Sequence, residues 1–403
     1  MKTNFDEIID RRNTNSTSVE GFRQYIFHDP DLKLPYRDEE LIRMWIADME
    51  FATPDCIVEG IRRRLDRRIF GYTRLFSPEY YGVFSAWTEK MYGWTFPRGD
   101  LYICGGIIPA LNELVGYATD PGDKVLIFTP SYTPFKQAAD FHGRECVCSD
   151  LVDRAHNGYF EIDFDDFRAK AADPAVKLLI FCNPHNPTGR IWTEDELRAV
   201  GEIAMENGLL ILSDEIHCDL LRSGRTHTPL AKLFPGTDRI ITCMAPSKTF
   251  NTAGLHFSNI IIPNEKVRAG WHAKHNFNVN PLALAAATAA YEHGYDWLME
   301  LREYLDGNFA LIRDYLAEHL PKAVFRIPEA TYLGWVDIGA YLDERTEFIP
   351  LLFAQHAGVL LEGGSTMFVQ NSDTYIRLNA ACPRATLREG LRRICDLLNS
   401  DVR

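Results

Sequence analysis

The chain has 403 residues, longer than one hydrophobic core usually serves, so two domains are expected. Its 46% hydrophobic and 25% charged residues suit a globular enzyme, and a net charge of −13 argues against an extended nucleic-acid surface while allowing a small anion pocket. Nine cysteines, from Cys56 to Cys395, show no zinc-type spacing, which predicts free thiols, a reducing cytoplasm and no metal site. The segment Met1 to Glu7 lacks the apolar core of a signal peptide, and no apolar run approaches a membrane span. A soluble cytoplasmic protein is expected, with neither nucleic acid nor membrane as partner.

In chain order, residues 1 to about 44 are polar and turn-rich, most so from Asn13 to Ser18, and read as an arm or surface extension rather than core. Cys104 to Leu111 reads as a short strand entering a helix. Apolar runs at Asp123 to Phe128, Val176 to Cys182, Leu209 to Leu212, Ile240 to Met244 and Asn259 to Ile262 look like buried strands separated by amphipathic segments. That alternation predicts an α/β fold with a mostly parallel sheet between helices. Thr193-Glu194-Asp195-Glu196 is a capping box opening a helix, and Asn280-Pro281 pairs a cap with a proline at the first helical position. Trp297, Leu301, Leu305, Phe309, Ile312 and Leu316 then recur at helical spacing, long enough to bridge two domains. Beyond Pro321, strand-like runs at Thr331 to Ile338 and Tyr375 to Asn379 alternate with helices ending at Leu398, as in a smaller α/β domain. The expected division is residues 1–45 as an arm and part of the small domain, 46–294 as the large domain, and 295–403 as the C-terminal small domain.

The chemistry concentrates after the predicted strands. Lys248, flanked by Pro246, Ser247, Thr249 and Asn251 just past an apolar run, suits a Schiff-base lysine, with Asp214 at the end of an earlier strand as the acid behind it. Such a pair would carry pyridoxal phosphate, with Asp214 keeping the ring nitrogen protonated; a helix N-cap is the other reading of this aspartate. Phe181 to Arg190 follows a buried strand, and an amide side chain of its proline-stiffened Asn-Pro-His-Asn-Pro-Thr-Gly loop could donate to a phenolate. The glycines before Ile107 and Ile108 let amides at a helix N-terminus approach a phosphate, unless Gly105-Gly106 is only a turn. Ser247 is a second phosphate candidate. Tyr132 could stack on a flat ring or be ordinary core, and His217 is either a satisfied core imidazole or a group near the cofactor. Arg377, alone in the apolar run Tyr375 to Asn379, needs an anion, either a substrate carboxylate or a structural acid. Tyr72 in Phe70-Gly71-Tyr72-Thr73 reads by itself as a turn residue.

Together these motifs resemble the fold-type I pyridoxal phosphate enzymes, the aspartate aminotransferase superfamily. Within it the chain is similar to the branch of cystathionine β-lyases and cysteine-S-conjugate β-lyases that includes the maltose-regulon modulator. Trp45 to Phe51, Ile69 to Thr73, Asn183 to Arg190, Asp214 to His217 with Asp219-Leu220, Ala245 to Gly254, Arg377 and Pro383 carry the resemblance. It implies a large cofactor-binding domain built on a seven-stranded type of sheet. Lys248 is implied as the Schiff-base lysine, Asp214 as the pyridinium partner, Asn186 at O3′ and Tyr132 on the ring. The phosphate falls to Ser247 and the amides following Gly106, those of Ile107 and Ile108, and the substrate carboxylate to Arg377, with Asn186 beside it. Tyr72 is implied to serve the neighbouring subunit of a homodimer with active sites at the interface. His217, where many aminotransferases have tyrosine, tilts the expectation to a lyase that eliminates a thiol from cystathionine or related conjugates. An aminotransferase is the alternative, and a regulatory protein that binds the cofactor with weak lyase activity is a further one.

Overall fold

The computed structural model describes residues 3–274, 278–343, 348–365 and 367–400. Among them, eight strands form the main sheet: β1 (Leu101–Cys104), β2 (Lys124–Thr129), β3 (Glu145–Val152), β4 (Glu161–Ile162), β5 (Val176–Cys182), β6 (Leu210–Asp214), β7 (Ile240–Met244) and β8 (Ser258–Ile261). Their order is β1-β8-β7-β6-β5-β2-β3-β4. Strands β7, β6, β5, β2 and β3 run parallel, β8 is antiparallel to both of its neighbours, and β4 is a two-residue antiparallel edge. The fold is therefore α/β with a large, mostly parallel sheet. The predicted Asn259 to Ile262 strand exists but runs against its neighbours.

Apolar side chains explain the layering. Because β5 is buried on both faces at nearly every position, it reads as a continuous apolar run rather than an alternating one. Val125, Ile127, Leu178 and Ile180 join one core cluster, whereas Leu126, Leu179, Phe181 and Ile211 join another on the opposite face. Helix α1 (Ile107–Ala118) covers the first face, and helix α2 (Glu194–Glu206) the second. The capping box of α2 forms as expected: Thr193 Oγ1 accepts from the Glu196 amide at 3.2 Å, and the Glu196 carboxylate accepts from the Thr193 amide at 2.7 Å. Asn280 caps α3 (Pro281–His293) by accepting from the Leu282 amide.

Helix α4 (Tyr295–His319) spans 25 residues. Leu301 and Leu305 at its start belong to one cluster, and Phe309, Ile312 and Leu316 further along to another. That second cluster lies under an antiparallel sheet of β9 (Val324–Phe325), β10 (Leu333–Asp337), β11 (Glu362–Gly363) and β12 (Tyr375–Asn379), in the order β9-β10-β12-β11, and under helix α5 (Arg384–Leu398).

The N-terminal segment departs from its expected surface character. Phe22, Ile26, Leu41 and Trp45 pack with Ala354 and Leu360, and Ile42–Arg43 pairs in parallel with Val359–Leu360. Phe5 packs edge-on against Phe51 at 5.0 Å and against Trp297 at 5.6 Å. A few large apolar residues spaced among polar ones suffice to bury such a segment once a tertiary partner meets them.

Candidate active site

Three adjacent parallel strands deliver the chemistry. Cys182, Asp214 and Cys243 are in register across β5, β6 and β7, so the segments bearing Asn186, His217 and Lys248, the last on the short helix Pro246–Thr249, leave neighbouring strand ends. Side chains just past those ends converge because all three strands point one way.

Lys248 Nζ donates to the Ala47 carbonyl at 2.5 Å. Burial, then the nearby positive charge of Arg377, pushes its amine down to about 8. Asp214 is buried and accepts from the Ile216 amide at 3.1 Å. No helix starts there, so it is not a helix cap. Burial lifts its carboxyl to about 7 against that hydrogen bond and the opposing pull of Lys248. Burial first, then Lys248 and Arg377, pushes the His217 imidazole down, and its buried Nδ1 has no hydrogen-bond partner among the described residues. Tyr132 pairs with Phe368 in a two-strand ladder, and burial raises its phenol to about 12, with Glu362, Arg377 and Asp214 all within electrostatic reach.

Arg377 is 2% exposed. It donates to Asn186 Oδ1 at 3.1 Å and to the Trp45 carbonyl at 3.2 Å, and forms an ion pair with Glu362. Both sequence readings of Arg377 therefore bear on one residue: it has a structural acid, and its charge reaches Lys248.

Gly106 precedes α1 with φ +153°, a conformation that side chains resist, and a Cβ there would lie 3.3 Å from Pro109 Cδ. The first amides of α1, those of Ile107 and Ile108, have no partner earlier in the helix. Ser247 is half-buried beside Lys248. Near Gly105, His256, Lys274 and Asn280 line a cavity of about 440 Å³. Tyr72 stands apart from this constellation: it is 95% exposed, in a segment where Ile69, Phe70 and Phe76 are also exposed.

Sequence reasoning missed Ala47, Tyr332 and Glu362. The Ala47 carbonyl accepts from both Lys248 and the Tyr332 hydroxyl, the latter at 2.8 Å. Tyr332 also meets His217 edge-on at 6.3 Å. The signal for Glu362 was present, a single acid ending the apolar run Val359 to Leu361. A backbone carbonyl carries no such signal.

A depressed amine, a buried acid, an orphaned imidazole nitrogen and a glycine-fronted helix N-terminus form a donor set that fits pyridoxal phosphate. Comparison with known proteins agrees. The family model for aminotransferase class I and II matches residues 40–394. Cystathionine beta-lyase PatB of Bacillus subtilis is 39% identical over 360 residues, covering 88% of this chain and 92% of that protein. Protein MalY of Escherichia coli is 29% identical over 366 residues, covering 90% of this chain and 92% of that protein. A solved structure of the PLP-bound C-S lyase from Staphylococcus hominis superposes with a TM-score of 0.92 at 49% identity, covering 98% of each chain. The chain thus belongs to the class I and II aminotransferase family. Within that family it is a pyridoxal phosphate-dependent enzyme of the carbon-sulfur lyase branch.

Proposed function

We propose that the enzyme eliminates a thiol from cystathionine or related cysteine S-conjugates, yielding pyruvate and ammonia. The observation that carries this reading is the buried grouping of Lys248 with Asp214 and Arg377, whose charges both act on its amine, supported by similarity to a cystathionine β-lyase and a C-S lyase.

When bound, pyridoxal phosphate supplies an aldehyde that amines capture and a ring that takes up the electron pair left at Cα. Asp214 would hold the ring nitrogen, Tyr132 the ring face and Asn186 the phenolic edge, with His217 nearby. Ser247, Gly106 and the amides of Ile107 and Ile108 would hold the phosphate. Arg377 binds the substrate carboxylate and so orients Cα toward Lys248. With its pKa near 8, Lys248 keeps about a tenth of its amine neutral at pH 7; it would hold the cofactor's aldehyde, and once the substrate's own amine has displaced it, the freed Nζ would take the Cα proton. Positioned general-base help of this kind is typically worth ~10²–10⁴-fold. The thiolate departs from Cβ, and the released aminoacrylate hydrolyses to pyruvate and ammonia.

The working unit is a homodimer in which Tyr72 serves the neighbouring site, a reading supported by the exposed apolar segment around it. Nine free cysteines support a cytoplasmic setting. The division at residues 46 and 295 is supported by the helix that begins at Tyr295 and joins two apolar clusters.

Incubation with L-cystathionine and no oxoacid tests the reaction: pyruvate and thiol are expected in equal amounts over many turnovers. Accumulation of pyridoxamine phosphate, with turnover dependent on an oxoacid, would reassign the enzyme as an aminotransferase.

A further inference from the structure

The anion seat on Arg377 already has an occupant. A guanidinium offers five N–H donors and grips a carboxylate across one of two paired edges, Nε with Nη2 or Nη1 with Nη2. Nη2 belongs to both edges. Its two hydrogens face the Trp45 carbonyl at 3.2 Å and the carboxylate of Glu362. Nη1 donates to Asn186, while Nε is buried without a hydrogen-bond partner among the described residues. No edge is therefore free for a two-point grip on a substrate carboxylate.

The backbone builds this occupancy. Glu362 stands directly opposite Arg377 across the β11 and β12 pair, which sets the two side chains on one face. Their side chains are only 12% and 2% exposed, so neither charge can turn to bulk water. Tyr132 and Lys248 both lie within electrostatic reach of Glu362, so the pair belongs to the candidate site rather than to a remote surface.

We propose that Glu362 is a resident competitor, a carboxylate of the chain itself that holds Arg377 until the substrate carboxylate displaces it from Nη2. The inference rests on the reading of Arg377 as the substrate-carboxylate seat. An incoming carboxylate takes over Nη2 and also completes the idle Nε edge, gaining a two-point grip where Glu362 had one contact. A molecule without a carboxylate cannot make this exchange. Glu362 acts as a positioning residue that fixes the guanidinium in the empty site and sets how hard that site is to fill.

The probe is 3-(methylthio)propionate, a carboxylate with a thioether and no amino group, titrated calorimetrically into the cofactor-loaded enzyme. Glu362→Gln keeps the shape and removes the competing charge, and is expected to bind the probe about tenfold more tightly than the wild type. Glu362→Asp keeps the charge but shortens its reach; it is expected to move the same way by less, and serves if the glutamine variant does not fold. A purely supporting role predicts the reverse, so unchanged or weaker binding in a folded variant overturns the proposal. An Arg377→Met control separates the two readings. Binding lost there without a gain in Glu362→Gln overturns the competitor alone; undiminished binding overturns Arg377 as the seat, and the competitor with it.

Discussion

Lys248 and Asp214 are perturbed in opposite directions by one cause, loss of water, and this makes their chemistry testable residue by residue. Lys248→Ala is expected to abolish the visible absorbance of the lysine-bound cofactor; an unchanged spectrum in the variant would refute the assignment. Asp214 has a stability signature in the apoprotein. Its carboxyl rises from the ordinary 3.8 to about 7 on folding, so between those values the folded chain holds a proton that the unfolded chain has released. Its contribution to stability is complete below about 4 and is lost as pH rises through about 7. Asp214→Asn removes the titration. Urea unfolding of the apoprotein at pH 5 and pH 7 is expected to show a smaller pH difference for the variant than for the wild type, in a window read from those two pKa values.

Turns and caps give the next level of prediction, because they decide where elements start and how site loops sit. The loop carrying Asn186 turns at Gly189, whose φ is +70°, and an added Cβ would fall 2.2 Å from Pro328 Cβ. Gly189→Ala combines backbone strain with overpacking and is expected to cost roughly 2–4 kcal/mol. Denaturant unfolding measures that loss, and weaker cofactor binding should accompany it, since the same loop presents Asn186. Thr193 acts on one helix end only. Thr193→Ala leaves an amide of α2 without its acceptor, and should cost about 1 kcal/mol in the same measurement with cofactor binding unchanged. The contrast between these two variants separates the loop that shapes the site from the helix that merely supports the sheet.

Across the whole molecule, the exposed apolar segment argues for assembly. Ile69, Phe70, Tyr72 and Phe76 are exposed by 75%, 52%, 95% and 81%, an unusual concentration for a surface that meets only water. The segment is also held in shape: Thr73 accepts from the Val279 amide at 2.9 Å, and Arg74 Nε donates to Asn278 at 3.1 Å. An isologous dimer would cover such a patch and carry Tyr72 to the second site. Phe76→Asp is expected to shift the enzyme from dimer toward monomer in sedimentation velocity and to depress turnover with it. A wild type that sediments as a monomer at assay concentrations would end this reading.

Local chemistry was legible in the chain because it depends on neighbours in sequence. The apolar runs marked β2, β5, β6 and β7, the capping box marked α2, and the ends of such runs singled out Lys248 and Asp214 as candidates. Other features depend on packing between segments far apart, which no local pattern encodes. Folding alone buried Phe22, Ile26 and Leu41 in what reads as a polar arm, ran β8 against its neighbours, and set Lys248 on the Ala47 carbonyl, 201 residues away. The fate of Arg377 shows the division best. Its sequence context says that a buried guanidinium needs an anion, because desolvated charge must be paired. Only the cross-strand register of β11 and β12 decides that Glu362 supplies it.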